Sequence, residues 1–182
     1  MTAFEKKRGR VIDFEGSTSV GIQQASIIDF KNSEIINSKE YLKDDGEFSG
    51  WFAKNTKNSE IEIWVAHNFM VEKNLIAQNA PYKNNLLSMS SSMQWGPWID
   101  TLIIYKRLYP NLEKYTLSDL KIKFLDVKII ERIAQRLCQR TKPKPHQSMY
   151  DAIVTYLLLD RVRTKIDLNL FHIVHSSYIS RI

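Results

Sequence analysis

The chemistry in this chain starts in Val11-Ile12-Asp13-Phe14-Glu15-Gly16, where two carboxylates end a short apolar run and a glycine follows. Successive side chains of a β-strand point to opposite faces, so Asp13 and Glu15 share one face while Ile12 and Phe14 take the other. Two adjacent acids on a core strand repel each other and are costly to desolvate unless a positive charge joins them. Hard oxygen donors suit magnesium or manganese in that role. The plain alternative is an edge strand with its acidic face in water. Further along stand Glu72, in the first turn of a predicted helix, and Asp151, in the apolar part of another. Either is also explained as an acid complementing a helix dipole. His146 precedes Asp151 by five residues, and Pro143 and Pro145 keep the segment before it out of a helix. It therefore stands on the loop at the mouth of the Asp151 helix, as a surface residue or as part of a site.

The elements that must position these groups follow from periodicity. Strands are expected over Arg10 to Glu15, Val20 to Asp29 and Glu34 to Leu42, joined by turns at Gly16-Ser17-Thr18-Ser19 and Asn32-Ser33. Connections this short imply an antiparallel meander. Residues 43 to 60 read as loop with one short helix near Phe48 to Ala53. Ile61 to Ala66 alternates as a fourth strand. A helix over Phe69 to Gln78 follows, with Asn68 as its cap. Residues 80 to 99 form the longest irregular stretch, and such loops are often functional. Asp100 caps a helix through Leu108, Thr116 caps one through Lys123, and amphipathic helices are expected over Val127 to Arg140 and Gln147 to Arg163. The segment after Asp167 reads as either strand or helix. The order implies an α/β fold, a mixed sheet with helices packed on it. The 182 residues fit one domain, with a core of about 9–165 and a tail of 166–182.

Composition sets the class. With 43% hydrophobic and 25% charged residues the chain reads as an ordinary globular protein. No apolar run is long enough to span a bilayer, and the charged stretch from Met1 to Arg10 leads into no apolar signal core. A single cysteine excludes an internal disulfide and every multi-cysteine zinc pattern, and it fits a reducing, cytoplasmic setting. The net charge of +6 permits a polyanionic partner. Arg132, Arg136 and Arg140 recur every four residues, which places them on one helix face, with Lys142 and Lys144 just beyond. That face is either solvated or in contact with phosphate.

Taken jointly, Asp13-Phe14-Glu15, Ala66-His67-Asn68 with Glu72, Asp100-Thr101-Leu102 and His146-Gln147-Ser148-Met149-Tyr150-Asp151-Ala152 resemble the DEDDh 3′–5′ exonucleases, the DnaQ-like proofreading type. The resemblance runs from about Val11 to Leu159 and departs at Glu72, where the family usually carries aspartate. It implies a ribonuclease-H-like fold whose first three strands are antiparallel. It also implies phosphodiester hydrolysis at the single-stranded or frayed 3′ end of DNA or RNA, releasing mononucleotides. Two divalent ions, Mg2+ or Mn2+, would be held by Asp13, Glu15, Asp151 and Glu72, with Asp13 shared between them and His146 as general base. Phe14, Gly16, Asn68, Arg132, Arg136, Arg140, Lys142 and Lys144 would meet the nucleic acid, with Phe69, Trp95 and Trp98 as further stacking candidates and core packing as the leading alternative for Phe14. The competing reading is a catalytically inactive binding module with the same fold.

Overall fold

A computed structural model describes residues 7–57, 60–80 and 96–171 of the chain. Its sheet has five strands in the order β3-β2-β1-β4-β5: β1 Arg8–Ser17, β2 Gly21–Lys31, β3 Glu34–Leu42, β4 Ile63–Ala66 and β5 Trp98–Asp100. The first three pair antiparallel, and β4 lies parallel to both β1 and β5. Asn32 and Ser33 both have positive φ (51° and 67°), the backbone that a tight hairpin between right-twisted strands demands. At the other hairpin β1 bulges between Glu15 and Gly16. Gly16 has φ 156°, and a Cβ there would lie 2.3 Å from the Gly21 carbonyl oxygen, so only glycine lets the strands close.

The sheet divides the core in two, as strand alternation requires. One side holds Val11, Ile28, Phe30, Val65 and Ile99 against the helices α3 Thr101–Leu108, α4 Leu117–Phe124, α5 Val127–Leu137 and α6 Ser148–Arg163. The other packs Ile12, Phe14, Ile27 and Trp64 against α1 Phe48–Thr56 and α2 Met70–Asn79. Helix α6 is the spine of the first layer. Eleven of its sixteen residues are buried, the mark of a helix covered on several sides. Tyr156 of α6 meets the Phe30 ring at 5.5 Å, and Gly9 makes room for it, since a Cβ there would stand 2.2 Å from Phe30 Cζ. On the second side Arg10, 1% exposed, donates to both carboxylate oxygens of Asp29 at 2.6 and 3.0 Å and lies over the Trp64 ring. Among the described residues no helix is long and apolar enough to cross a membrane.

Three expectations change. Residues 98–100 form a strand rather than loop, too short to show any alternation. Helix α5 stops at Leu137, so Arg140 lies beyond it and does not share the face of Arg132 and Arg136. Instead its guanidinium grips both oxygens of Asp45 at 2.5 and 2.6 Å. Asn68 does not cap α2. It sits in the left-handed region (φ 69°), α2 has no side-chain cap, and the backbone leading into it is held by a distant carboxylate, Asp100, described below. After Asp167 a short 3-10 turn spans Leu168–Phe171.

Candidate active site

Topology locates the site before any side chain is considered. The chain runs outward from β1 through β2 to β3 on one side, and through β4 to β5 on the other. The order therefore reverses between β1 and β4, the position where open α/β sheets form a crevice beyond their strand ends. Strand β4 pairs with β1 only from Gly9 to Val11. Asp13 and Glu15 project beyond that pairing, on the face that α6 covers.

Helix α6 brings the opposite wall. Asp151 lies in its first turn, and His146, exposed, precedes it on the loop. Glu15, His146 and Asp151 each offer a ligand atom, and these atoms all lie within 4.8 Å of one another. His146 has φ 60°, unusual for a residue with a side chain. Its backbone N–H donates to Asp151 Oδ2 at 3.0 Å, and its carbonyl accepts from Gln147 Nε2 at 2.8 Å. The histidine is thus held by both of its peptide groups while its ring faces Glu15 and Asp151.

Glu72 comes from α2. It shares one helical face with Leu75 and Ile76, the buried stripe of that helix, so packing carries its carboxylate inward. It is 4% exposed, and its Oε2 has no hydrogen-bond partner. Helix α2 is aimed by Asp100, whose Oδ1 accepts from Asn68 N at 2.9 Å and Leu102 N at 2.8 Å while Oδ2 accepts from Phe69 N at 3.2 Å. One carboxylate therefore caps α3 and fixes the start of α2. His67 serves the same junction, bonded to Thr101 Oγ1 at 2.9 Å and the Tyr115 carbonyl at 3.0 Å. Burial lowers its pKa, as expected of a structural histidine kept neutral.

Electrostatics tie the four acids into one cluster. Burial pushes the Asp13 carboxyl well above the usual range, and Glu72, Asp151 and Glu15 push it further in the same direction. Glu72 rises to about 8, first by burial and then by the charges of Asp100 and Glu15, against a backbone hydrogen bond that lowers it. Asp151 rises to about 6 by burial, opposed by the His146 N–H bond. Glu15 is raised by burial and lowered by His146. Several carboxyls raised together, one with an orphaned buried oxygen, form a site short of positive charge. An oxygen-donor set of this kind fits a hard divalent cation, with Asp13, Glu15, Asp151 and Glu72 as the available ligands.

The residues expected to meet a substrate divide. Phe14 is 6% exposed and sits edge-on to Phe48 and Phe52 on the sheet face opposite Asp13, so it is core and cannot stack on a base. Phe69 and Trp98 are likewise buried, against each other, and Trp95 lies outside the described residues. Gly16 and Asn68 are exposed beside the site strand and before α2; Arg132, Arg136, Lys142 and Lys144 are exposed as well. Arg140 is committed to Asp45, whose carboxyl that bond holds down to about 2. Sequence reasoning missed Lys121, whose ammonium lies over the Tyr150 ring at 5.5 Å and lowers the pKa of Asp151. It lines a narrow crevice with Ser118, Pro145 and Asp151, and nothing in its local sequence signals that placement.

Among solved structures the chain is similar to Exonuclease X in complex with 5′ overhanging duplex DNA, with a TM-score of 0.57 over 86% of this chain and 92% of that one. The fold is ribonuclease-H-like. Identity over that alignment is 22%, so the likeness speaks for architecture alone. No family model matches the chain, and no curated protein matches it.

Proposed function

We propose that this chain is a metal-dependent 3′–5′ exonuclease that hydrolyses the terminal phosphodiester of DNA or RNA and releases nucleoside monophosphates. The observation that carries the reading is the meeting of Glu15, His146 and Asp151 within 4.8 Å, at the strand end that also bears Asp13. Glu15 lies more than 130 positions from His146 and Asp151, and a fold with no use for the cluster gains nothing by concentrating half-buried acids there. The structural neighbour is in complex with 5′ overhanging duplex DNA, which supports nucleic acid as the partner here.

In this mechanism Asp13, Glu15, Asp151 and Glu72 would hold two divalent ions, magnesium or manganese. When bound, such ions neutralise phosphate charge and ease the ionisation of water. His146 accepts the proton of the attacking water as its oxygen bonds to phosphorus and the bond to the 3′-oxygen breaks. Its ring is suited to that exchange because an imidazole nitrogen has a lone pair that can take up the proton and release it again. The left-handed backbone of His146 and its two peptide hydrogen bonds fix where the ring stands, so little reorganisation is needed at the moment of reaction. Asn68 and Gly16 line the approach, and Lys142 and Lys144 on the loop before His146 attract the phosphate backbone.

The test is digestion of a 5′-labelled oligonucleotide, as DNA and as RNA, single- and double-stranded, with each metal in turn. Stepwise shortening by single nucleotides supports the proposal, and Asp13→Ala is expected to abolish it while leaving the fold intact. An intact wild-type digest across the whole panel sinks the nuclease reading in favour of a binding module.

A further inference from the structure

In the β1–β2 ladder Glu15 stands opposite Gln24, and Asp13 stands opposite Ser26. Gln24 and Ser26 therefore share the sheet face of the two acids, and both reach the start of α6. Ser26 Oγ and Ser148 Oγ are hydrogen-bonded at 2.8 Å, both fully buried. Gln24 lies nearer the rim and makes a different kind of contact. Its Oε1 accepts from Ser148 N at 3.3 Å, and its Nε2 donates to Gln147 Oε1 at 3.3 Å. Gln147 then donates from Nε2 to the His146 carbonyl at 2.8 Å, and the His146 N–H donates to Asp151 at 3.0 Å.

We propose that Gln24 is a positioning residue for His146, acting through Gln147 to hold the imidazole against Glu15 and Asp151. The proposal rests on the nuclease reading given above. Three features single out Gln24. Helix α6 has no cap of its own, because the Gln147 side chain makes no capping bond. It is spent instead on the His146 carbonyl, and Gln24 supplies the acceptor that Ser148 N would otherwise lack. His146 occupies a left-handed backbone region that a residue with a side chain enters only when its surroundings hold it there. Finally, Gln24 belongs to the same cross-strand pair as Glu15, so a single rung of the sheet sets both walls of the site. An amide is suited to the post. It accepts from the helix start and donates to Gln147 at once, and it adds no further charge beside the acids. Its own two bonds are long, so it guides Gln147 rather than clamping it, and the shorter inner pair locks the histidine.

The experiment compares Gln24→Ala with Ser26→Ala, which removes the neighbouring β2–α6 hydrogen bond without touching Gln147. Single-turnover and steady-state digestion of a 5′-labelled oligonucleotide give kcat and KM, and thermal denaturation reports the fold. Misplacement of a general base lowers kcat by about tenfold or more in Gln24→Ala, with KM within about twofold of wild type. Ser26→Ala keeps kcat within about twofold even where it melts earlier, because His146 is undisturbed. Equal kcat in Gln24→Ala and wild type overturns the proposal. So does an equal kcat loss in the two variants, which would make Gln24 merely structural. Native-state hydrogen exchange at the His146 amide gives a readout independent of catalysis. Exchange about tenfold faster in Gln24→Ala supports the link to His146, and an unchanged rate overturns it even if the wild type proves to be no nuclease.

Discussion

Glu72 offers the sharpest quantitative prediction, because its carboxyl is 4% exposed and one of its oxygens has no partner. Its pKa is pushed up to about 8 from an ordinary 4.5, chiefly by burial. The folded, metal-free protein therefore binds more protons at this residue than the unfolded chain does between those two values. Stability from Glu72 is fully present below about 4.5 and is lost as pH rises through about 8. At 1.36 kcal/mol per pKa unit the full loss is bounded at about 5 kcal/mol. Glu72→Gln preserves the shape and removes the titration. In urea denaturation of chelator-treated protein, wild type and variant should match near pH 5 and diverge as pH rises, the variant becoming more stable by about 2–5 kcal/mol at pH 8.5. Magnesium or manganese should then stabilise wild type more than the variant at high pH, since only the carboxylate can serve the ion. Parallel pH profiles for the two metal-free proteins would refute the reasoning and place Glu72 in contact with water or a compensating cation.

Two further predictions concern charge. Lys142→Ala with Lys144→Ala should flatten the dependence of log affinity on log salt by about 1.4 for a single-stranded oligonucleotide, followed by fluorescence anisotropy. Arg140→Ala should leave that slope unchanged because its guanidinium is already bound to Asp45; a slope that moves with Arg140 and not with the lysines would reverse the assignment. On the opposite face of the sheet, Asp29→Ala strands the buried Arg10 guanidinium and should cost about 3–5 kcal/mol in a urea melt. A loss under about 1 kcal/mol, the value of an exposed pair, would show that water reaches Arg10.

Much of this architecture is legible in the sequence, wherever the information is local. Strict alternation from Val11 to Glu15 places Asp13 and Glu15 on one face, and that needs only the two-residue period of a strand. The two prolines before His146 and the apolar run after Asp151 fix a loop-to-helix boundary with a histidine just outside it. The meander and the apolar stripes of α5 and α6 follow in the same way, because each rule relates residues no more than four positions apart.

What tertiary structure alone decided is the identity of partners far apart in the chain. The sequence offers Asn68 as a helix cap, but the fold leaves α2 without a side-chain cap and holds the backbone leading into it through Asp100, 32 positions away. It offers Arg140 to a phosphate, but the fold brings up Asp45 from the segment just after β3. It offers Phe14 to a nucleobase, but α1 closes over that face. It says nothing of Gln24, whose partner Gln147 lies 123 residues on. The physical reason is common to all four. A side chain's chemical type is fixed by the chain, but the partner that will satisfy it is chosen by which surfaces pack together. The acids of Asp13 and Glu15 were always adjacent; packing of α6 and α2 on the sheet is what gives them company and turns a charged strand end into a site.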